Sequence, residues 1–232
     1  MPEGNCFHYD QAAVDHLARK DKKLAAAMQA IGPVRREVMP DLFQALMHAI
    51  TGQQISMAAQ RTVWGRLCGL LGEVTPQALL AQPQTALQAL GLSARKVDYM
   101  RGIARQVVDG ELDLPGMTAL EDAEVCRRLA ALRGIGVWTA EMLLLISLQR
   151  SHILSYDDLA IRRGLRMLYR HKEMPRERFE RYRRRFSPYG SLASLYLWAI
   201  AGGALPELDD PAERKKGRSR PAASLKSTVT KD

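Results

Sequence analysis

The stretch from Ala130 to Arg163 constrains the fold more than any other part of this chain. Within it, Gly134 and Gly136 enclose a single residue between two segments with helical spacing of apolar residues. So short a connection predicts a hairpin between two helices, the second beginning at Val137. Glycines allow a partner to approach closely, and the free N–H groups of a helix N-terminus favour an anion such as phosphate. A tight corner between helices, with glycine as a C-cap, is the alternative.

Two adjacent carboxylates follow the hairpin. Asp157 and Asp158 precede a short apolar and basic helix that begins at Leu159. Aspartate is a common N-cap, and that role explains either residue without any further function. A basic protein that binds phosphate has little structural reason to aim an acid at its partner, so we also expect a chemical role. Both roles fit one residue, with one oxygen capping the helix and the other facing a sugar.

The composition favours a polyanionic partner. The 232 residues carry a formal net charge of +9, and 47% of them are hydrophobic, which suffices for a packed core. The chain has no apolar run of about eighteen residues and no signal-peptide pattern, so we expect neither a membrane span nor secretion. Three scattered cysteines argue against disulfides and a zinc site. We therefore expect a cytoplasmic, nucleoid-associated protein.

Helical periodicity recurs along the chain, and no convincing strand alternation interrupts it, so the predicted fold is all-α. The first helix is predicted to run from Tyr9 to Ile31. Asp41, Thr75 and Ser93 each precede an apolar helical pattern and are predicted to be N-caps.

The character of the chain changes at residue 206. Charged and small polar residues dominate residues 206–232, and large apolar residues almost vanish. Such a segment buries too little apolar surface to order itself, which predicts a disordered basic tail. Its basic residues would add nonspecific attraction to a polyanionic partner, or, as the favoured alternative, the tail serves solubility.

Five motifs occur in an order that resembles the helix-hairpin-helix DNA glycosylase superfamily, and within it the 3-methyladenine DNA glycosylase II branch. The resemblance covers roughly residues 40–203. It implies two helical lobes with an active-site cleft between them in a core of residues 1–205, and the helix-hairpin-helix at about 126–149. The matching motifs are Ala49–Ser56, Gly91–Lys96, Leu132–Ala140, Asp157–Ile161 and Ser187–Trp198.

The resemblance implies an enzyme that flips an alkylated purine, such as 3-methyladenine or 7-methylguanine, out of DNA and hydrolyses its N-glycosidic bond. Positive charge develops on the sugar as that bond breaks, so a nearby carboxylate stabilises the transition state. The Asp-x-x-Ile pattern of the family places this role on Asp158, with Asp157 as the alternative. Members that also nick the backbone carry a lysine where this chain has Trp138, which implies a monofunctional enzyme starting base excision repair.

The same resemblance implies a base pocket formed by Trp138, Met142 and Trp198. Indole faces suit the cationic N3- and N7-alkylated purines. Plain core packing is the alternative for Trp198, which lies among leucines at helical spacing. A well-known member of the branch has tyrosine at the position of Met142, so the pocket is expected to be less aromatic here.

DNA contacts are expected from the hairpin, from a corner near residue 54 and from a helix start near residue 93. Gln54 matches the side chain that fills the gap left by the flipped base, although some relatives use leucine, and a plain helix corner is the alternative. For Ser93 and Lys96, an ordinary N-cap and a solvated charge are the alternatives. The predicted DNA-binding residues are Gly134, Gly136, Val137, Thr139, Gln54, Ser93 and Lys96.

In relatives, hairpin carbonyls at the positions of Leu132 and Ile135 hold a monovalent cation that also meets a phosphate. The resemblance therefore implies a structural Na⁺ or K⁺ there and no required cofactor. Arg133 replaces the proline that is usual in this turn. The implied partner is double-stranded DNA containing alkylated bases, with no membrane involved, and the protein is expected to be a monomer.

Two other functions remain open at this point. One is a glycosylase for deaminated or oxidised bases, since two pocket positions do not define a substrate. The other is a noncatalytic module that uses the hairpin for structure-specific attachment to DNA.

Overall fold

A computed structural model describes residues 6–213 of the chain. The described part is helical, and its only extended pairing is an isolated antiparallel bridge between Cys6 and Glu37. The all-α prediction is confirmed. The helices are α1 (Gln11–Lys20), α2 (Lys22–Ile31), α3 (Leu42–Gly52), α4 (Met57–Leu71), α5 (Pro76–Ala81), α6 (Gln84–Ala89), α7 (Ala94–Val108), a 3₁₀ turn (Pro115–Ala119), α8 (Asp122–Ala130), α9 (Val137–Ile146), α10 (Leu159–Tyr169), α11 (Arg176–Phe186) and α12 (Gly190–Ala201).

The helices form two lobes, each around its own hydrophobic core. The middle lobe contains α3 to α9, with Leu46 and Met100 fully buried in its core. The terminal lobe is built from both ends of the chain, α1 and α2 with α10 to α12, around residues such as Leu17 and Phe179. The chain therefore crosses between the lobes twice, at residues 32–41 and at residues 147–158.

The single helix predicted from Tyr9 to Ile31 is wrong, because Asp21 divides it into α1 and α2. The backbone of Asp21 is extended, and its side chain accepts a hydrogen bond from the N–H of Leu24 at 2.9 Å. Asp21 is buried, and Arg185 of α11 donates to its other oxygen at 2.8 Å. The local signal for this break is an aspartate in N-cap position, which the continuous run of good helix formers obscured.

The three predicted N-caps are confirmed. Asp41, Thr75 and Ser93 each accept a hydrogen bond from the backbone N–H three residues later. These contacts satisfy amides that have no acceptor within the helix, and they define where α3, α5 and α7 begin.

The prediction of disorder from residue 206 onward is wrong for residues 206–213, which dock on α10. Asp210 is buried and accepts from Arg166 at 3.0 Å and from the N–H of Ala212 at 3.0 Å. Burial alone raises the pKa of the Asp210 carboxyl, but these hydrogen bonds outweigh it and the pKa is lowered overall. Ion pairs to Asp210 order this segment, together with the packing of Leu208 against the core of the terminal lobe. The rest of the predicted tail, residues 214–232, lies outside the described residues.

The helices α10 and α12 approach each other backbone to backbone. A Cβ atom added to Gly164 of α10 would lie 2.4 Å from the carbonyl oxygen of Leu197 in α12. This close approach packs α10 directly against α12 within the terminal lobe. Between residues 6 and 213, no helix is long and apolar enough to cross a lipid bilayer.

Candidate active site at the lobe boundary

The predicted hairpin between two helices is present, with α8 ending at Ala130 and α9 beginning at Val137. Gly134 adopts φ +88°, a conformation that glycine tolerates best, and a Cβ there would lie 2.2 Å from the Tyr99 ring. Arg133, in place of the usual proline, pairs with Asp98 at 3.2 Å and lies over the Tyr99 ring. Contacts with α7 thus hold the turn in place of the proline ring.

The N-terminus of α9 is open. Gly136 is its N-cap and provides no side-chain acceptor, so the N–H groups of Val137, Trp138 and Thr139 lack helical partners. A Cβ on Gly136 would meet nothing within 4 Å, and Val137 is 52% exposed. Three backbone donors therefore line an accessible surface with no side chain in the way, which suits a phosphate.

A second corner lies beside the hairpin, between α3 and α4. Gln53 donates from Nε2 to the carbonyl oxygen of Gly134 at 2.7 Å and so joins this corner to the hairpin. The next residue, Gln54, is exposed at φ +58°. The structure thus places Gln54 at the tip of a corner that is held against the hairpin.

Exposed apolar side chains concentrate around these two corners. Large hydrophobic residues usually avoid water, so their clustering marks an interaction surface. Seven such side chains are exposed within residues 6–213, and five of them surround the hairpin and the start of α10: Ile55, Met57, Val137, Trp138 and Leu159.

Asp158 is the N-cap of α10, and both of its carboxylate oxygens are engaged. Oδ1 accepts from the N–H of Ile161 at 2.8 Å, and Oδ2 accepts from the indole Nε1–H of Trp138 at 3.1 Å. Asp158 is buried, whereas Trp138 is 46% exposed. Asp157 is exposed and does not cap the helix. The structure therefore joins Asp158 to the hairpin helix directly.

Two buried serines of α12 and the partly exposed Arg183 of α11 hold the loop that carries Asp158. Ser191 accepts from the N–H of Ile153 at 3.0 Å, and Ser194 donates to the Ile153 carbonyl at 2.8 Å. Arg183 donates to the carbonyl of Leu154 at 2.8 Å. The loop is thus fixed just before the candidate site. Sequence reasoning missed Ser194 and Arg183 in this role, because nothing local distinguishes them from other serines and arginines.

Glu141 of α9 also holds this loop. The Ser155 hydroxyl donates to its carboxylate. Burial raises the pKa of Glu141, and the Ser155 hydrogen bond and the nearby Arg183 charge offset only part of that effect. Sequence reasoning did not single out Glu141, although it is the only charged residue of α9, which is a signal for a buried polar role.

Of the three predicted pocket residues, the structure joins only Trp138 to Asp158 by a hydrogen bond. Met142 is buried one helical turn after Trp138, on α9. Trp198 is partly buried and packs against both hydrophobic cores, so it lies at the lobe boundary. The guanidinium carbon of Arg36 lies 5.3 Å from the centre of the Trp198 ring. Trp198 therefore packs against the two hydrophobic cores, and the Arg36 guanidinium lies over its ring.

Ser93 and Lys96 already have protein partners. The Ser93 hydroxyl accepts from the N–H of Lys96 at 3.3 Å, and the Lys96 ammonium donates to the carbonyl of Thr51 at 2.9 Å. Burial lowers the pKa of Lys96. Lys96 thus ties α7 to the end of α3 and keeps two further N–H donors.

Two lobes, a helix-hairpin-helix and a carboxylate beside it define the class of helix-hairpin-helix DNA glycosylases. The family model for the HhH-GPD superfamily of base excision DNA repair proteins matches residues 47–188. The chain belongs to this superfamily. The matched region includes the two corners, α9 and Asp158.

Named relatives and solved structures agree with this membership. DNA-3-methyladenine glycosylase 1 of Schizosaccharomyces pombe is 28% identical over 87% of this chain and 91% of its own length. The crystal structure of DNA-3-methyladenine glycosidase from Bacillus halodurans is 33% identical, with a TM-score of 0.78 over 87% of this chain and 94% of that one. The S. pombe 3-methyladenine DNA glycosylase in complex with abasic DNA has a TM-score of 0.72 at 28% identity, over 82% and 96% of the two chains.

Proposed function

We propose that this protein is a monofunctional DNA glycosylase that excises alkylated purines, among them 3-methyladenine and 7-methylguanine, and so starts base excision repair. The observation that carries the proposal is the anchoring of Asp158. Its carboxylate is buried, held by Ile161 and Trp138, and joined to the open N-terminus of the hairpin helix. Burying a carboxylate next to a phosphate site costs free energy. A role in stabilising positive charge on the sugar explains why the carboxylate is there.

In the proposed reaction, the damaged nucleotide leaves the stack and its sugar comes to lie beside Asp158. The electron pair of the C1′–N bond passes to the leaving base, so a cationic alkylated purine departs as a neutral molecule without a general acid. The Asp158 carboxylate stabilises the positive charge that develops on the sugar. Water then forms the new bond to C1′ and releases its proton to Asp158 or to solvent.

The absence of backbone cleavage follows from Trp138. An indole nitrogen has no basic lone pair, so Trp138 cannot form the covalent imine with C1′ that a lysine at this position forms. In its place, the indole N–H holds Oδ2 of Asp158 and the exposed ring offers a stacking surface. An electron-rich ring suits a cationic purine, and Trp198 and Met142 are the proposed further walls of the pocket.

Double-stranded DNA is the proposed partner, bound by a monomer in the cytoplasm in association with the nucleoid. The N–H groups of α9 would bind a backbone phosphate, and Gln54 at its exposed corner would fill the gap left by the flipped base. Ser93 and Lys96 at the start of α7 would contact a further phosphate. The named relatives support alkylated bases as the substrates.

A monovalent cation, Na⁺ or K⁺, is proposed at the hairpin, held by the carbonyls of Leu132 and Ile135. The Leu132 carbonyl accepts the turn hydrogen bond from the N–H of Ile135 at 3.0 Å and keeps a second lone pair. Two neutral carbonyls suit a hard monovalent ion, which would add positive charge at the phosphate. No other cofactor is part of the proposal.

The proposed function is tested by incubating the protein with methylated duplex DNA and separating the released bases by chromatography. We expect free 3-methyladenine and 7-methylguanine, with intact DNA strands that break only after alkali treatment. Strand cleavage without alkali would contradict the monofunctional assignment. Release of no methylated purine would contradict the proposed substrate class.

Substitutions of the two hairpin glycines test whether the hairpin binds DNA. Gly136→Ala is expected to weaken DNA binding about tenfold or more, the equivalent of one charge-assisted hydrogen bond of ~1.5–3 kcal/mol. Its backbone is compatible with alanine and its Cβ would point into open space, so the fold should be nearly unaffected. Fluorescence anisotropy with a duplex and a thermal melt measure the two effects.

The neighbouring glycine is the matched control. In Gly134→Ala, the alanine would have to adopt a positive φ and its Cβ would clash with the Tyr99 ring. This substitution should therefore lower thermal stability as well as DNA affinity. If Gly136→Ala bound DNA like the wild type, the DNA backbone would not approach α9 at this position.

A further inference from the structure

Arg36 lies on the first crossing between the lobes, and its backbone is fixed. The N–H of Phe7 donates to the Arg36 carbonyl at 2.8 Å, and the next residue, Glu37, forms the bridge with Cys6. The side chain is exposed, and within residues 6–213 it makes no ion pair or hydrogen bond. Its one specific contact is with the Trp198 ring, 5.3 Å from guanidinium carbon to ring centre.

This contact is made with the ring that is proposed above as a wall of the base pocket. Trp198 packs against both hydrophobic cores, so most of its surface is already in contact with protein. The Arg36 guanidinium lies over this partly exposed ring. A base that stacks on Trp198 must therefore lie beside a positive charge or take its place.

We propose that Arg36 is a specificity-determining residue that favours neutral damaged purines over cationic ones. The inference rests on the proposed function, because it requires that the flipped base meets Trp198. A guanidinium repels a formally cationic base at the short distance that stacking on the same ring requires. A cationic base and Arg36 also compete for the same electron-rich indole.

The guanidinium also offers hydrogen-bond donors. Hypoxanthine, the deaminated form of adenine, is neutral and presents the O6 and N7 acceptors that arginine binds in a bidentate manner in guanine. In 7-methylguanine the methyl group blocks N7, so arginine loses the hydrogen bond to that atom. The ring is also cationic, so the guanidinium repels it. Arg36 thereby extends the substrate range toward deaminated purines.

The test compares single-turnover release of hypoxanthine and of 7-methylguanine from otherwise identical duplexes. Arg36→Gln removes the charge and keeps a side chain of similar length. We expect it to lower the ratio of hypoxanthine to 7-methylguanine release roughly tenfold, from the combined loss of a bidentate contact and a repulsive charge. Arg36→Lys keeps the charge without the planar fork and should show a smaller change in the ratio.

Arg35→Gln is the matched control, because Arg35 is the adjacent exposed arginine and lies over no aromatic ring within residues 6–213. It removes the same net charge and should leave the ratio unchanged. If Arg36→Gln changes both release rates by one common factor, leaves the ratio unchanged or raises it, the inference is overturned. A ratio shifted equally by Arg35→Gln would assign the effect to net charge alone and would also overturn it.

The wild type separates failure of this inference from failure of the proposed function. A wild type that releases 7-methylguanine but no hypoxanthine contradicts the inference and leaves the proposed function standing. A wild type that releases hypoxanthine alone contradicts alkylated purines as the substrate class and supports the role of Arg36. Release of neither base contradicts both.

Discussion

Replacing Asp158 with asparagine is expected to lower the rate of base release roughly 10²- to 10³-fold, as expected when one electrostatic stabiliser of a transition state is removed. The fold should survive, because asparagine caps helices about as well as aspartate and its oxygen still accepts from Ile161, while the hydrogen bond from the exposed Trp138 indole is lost because an amide has one acceptor oxygen. DNA affinity should be unchanged or slightly higher, since a negative charge is lost near phosphate. Single-turnover release from methylated duplex DNA measures the first effect, and anisotropy measures the second.

Asp157→Asn is the matched control for this experiment. It removes the same charge one residue earlier, at an exposed position that does not cap α10, and should leave the rate within about twofold of the wild type, as is usual for surface substitutions. Loss of activity in Asp157→Asn with an active Asp158→Asn would move the catalytic role to Asp157. Loss of base release with intact DNA binding in Asp158→Asn excludes a purely noncatalytic DNA-binding module.

Gly164→Ala is expected to destabilise the protein by about 2–3 kcal/mol, the upper part of the usual range for overpacking. The added Cβ would lie 2.4 Å from the carbonyl oxygen of Leu197 and 3.0 Å from its carbonyl carbon, and backbone atoms cannot rotate away as a side chain does. In a chain of this size the melting temperature should fall by about 5–10 °C. A calorimetric melt at neutral pH measures the change.

Gly102→Ala is the control for this stability prediction. Gly102 lies inside α7, and a Cβ there would meet nothing within 4 Å. Alanine favours a helix over glycine by about 1 kcal/mol, so this variant should melt at or above the wild-type temperature. A melting temperature of Gly164→Ala equal to that of Gly102→Ala would show that α10 and α12 separate easily.

The hairpin and the aspartate cap were both accessible from the sequence, for a common reason. The hairpin is marked by two glycines between segments with helical spacing of apolar residues. The cap is marked by an aspartate three residues before Ile161, and the hydrogen bond that it accepts spans less than one helical turn. Interactions of such short range leave their pattern in consecutive residues. The same logic failed for Asp21, because its cap lies inside a run of good helix formers.

The contacts that complete the candidate site could not be predicted in this way. Arg36 and Trp198 are 162 positions apart, and Ser194 is 41 positions from the Ile153 carbonyl that it holds. No periodicity links residues at such separations. The docking of residues 206–213 was likewise missed, because it depends on arginines of α10 that only the folded chain brings to Asp210.

The sequence by itself determined the helical class, the helix-hairpin-helix and an aspartate cap at Asp157 or Asp158, since these depend on interactions within a few residues. The tertiary structure alone decided that both chain ends build one lobe, that Trp138 holds Oδ2 of Asp158, and that Arg36 lies over Trp198. Those arrangements follow from which helix faces bury together. That choice depends on the packing of the whole chain and is not encoded in any single segment.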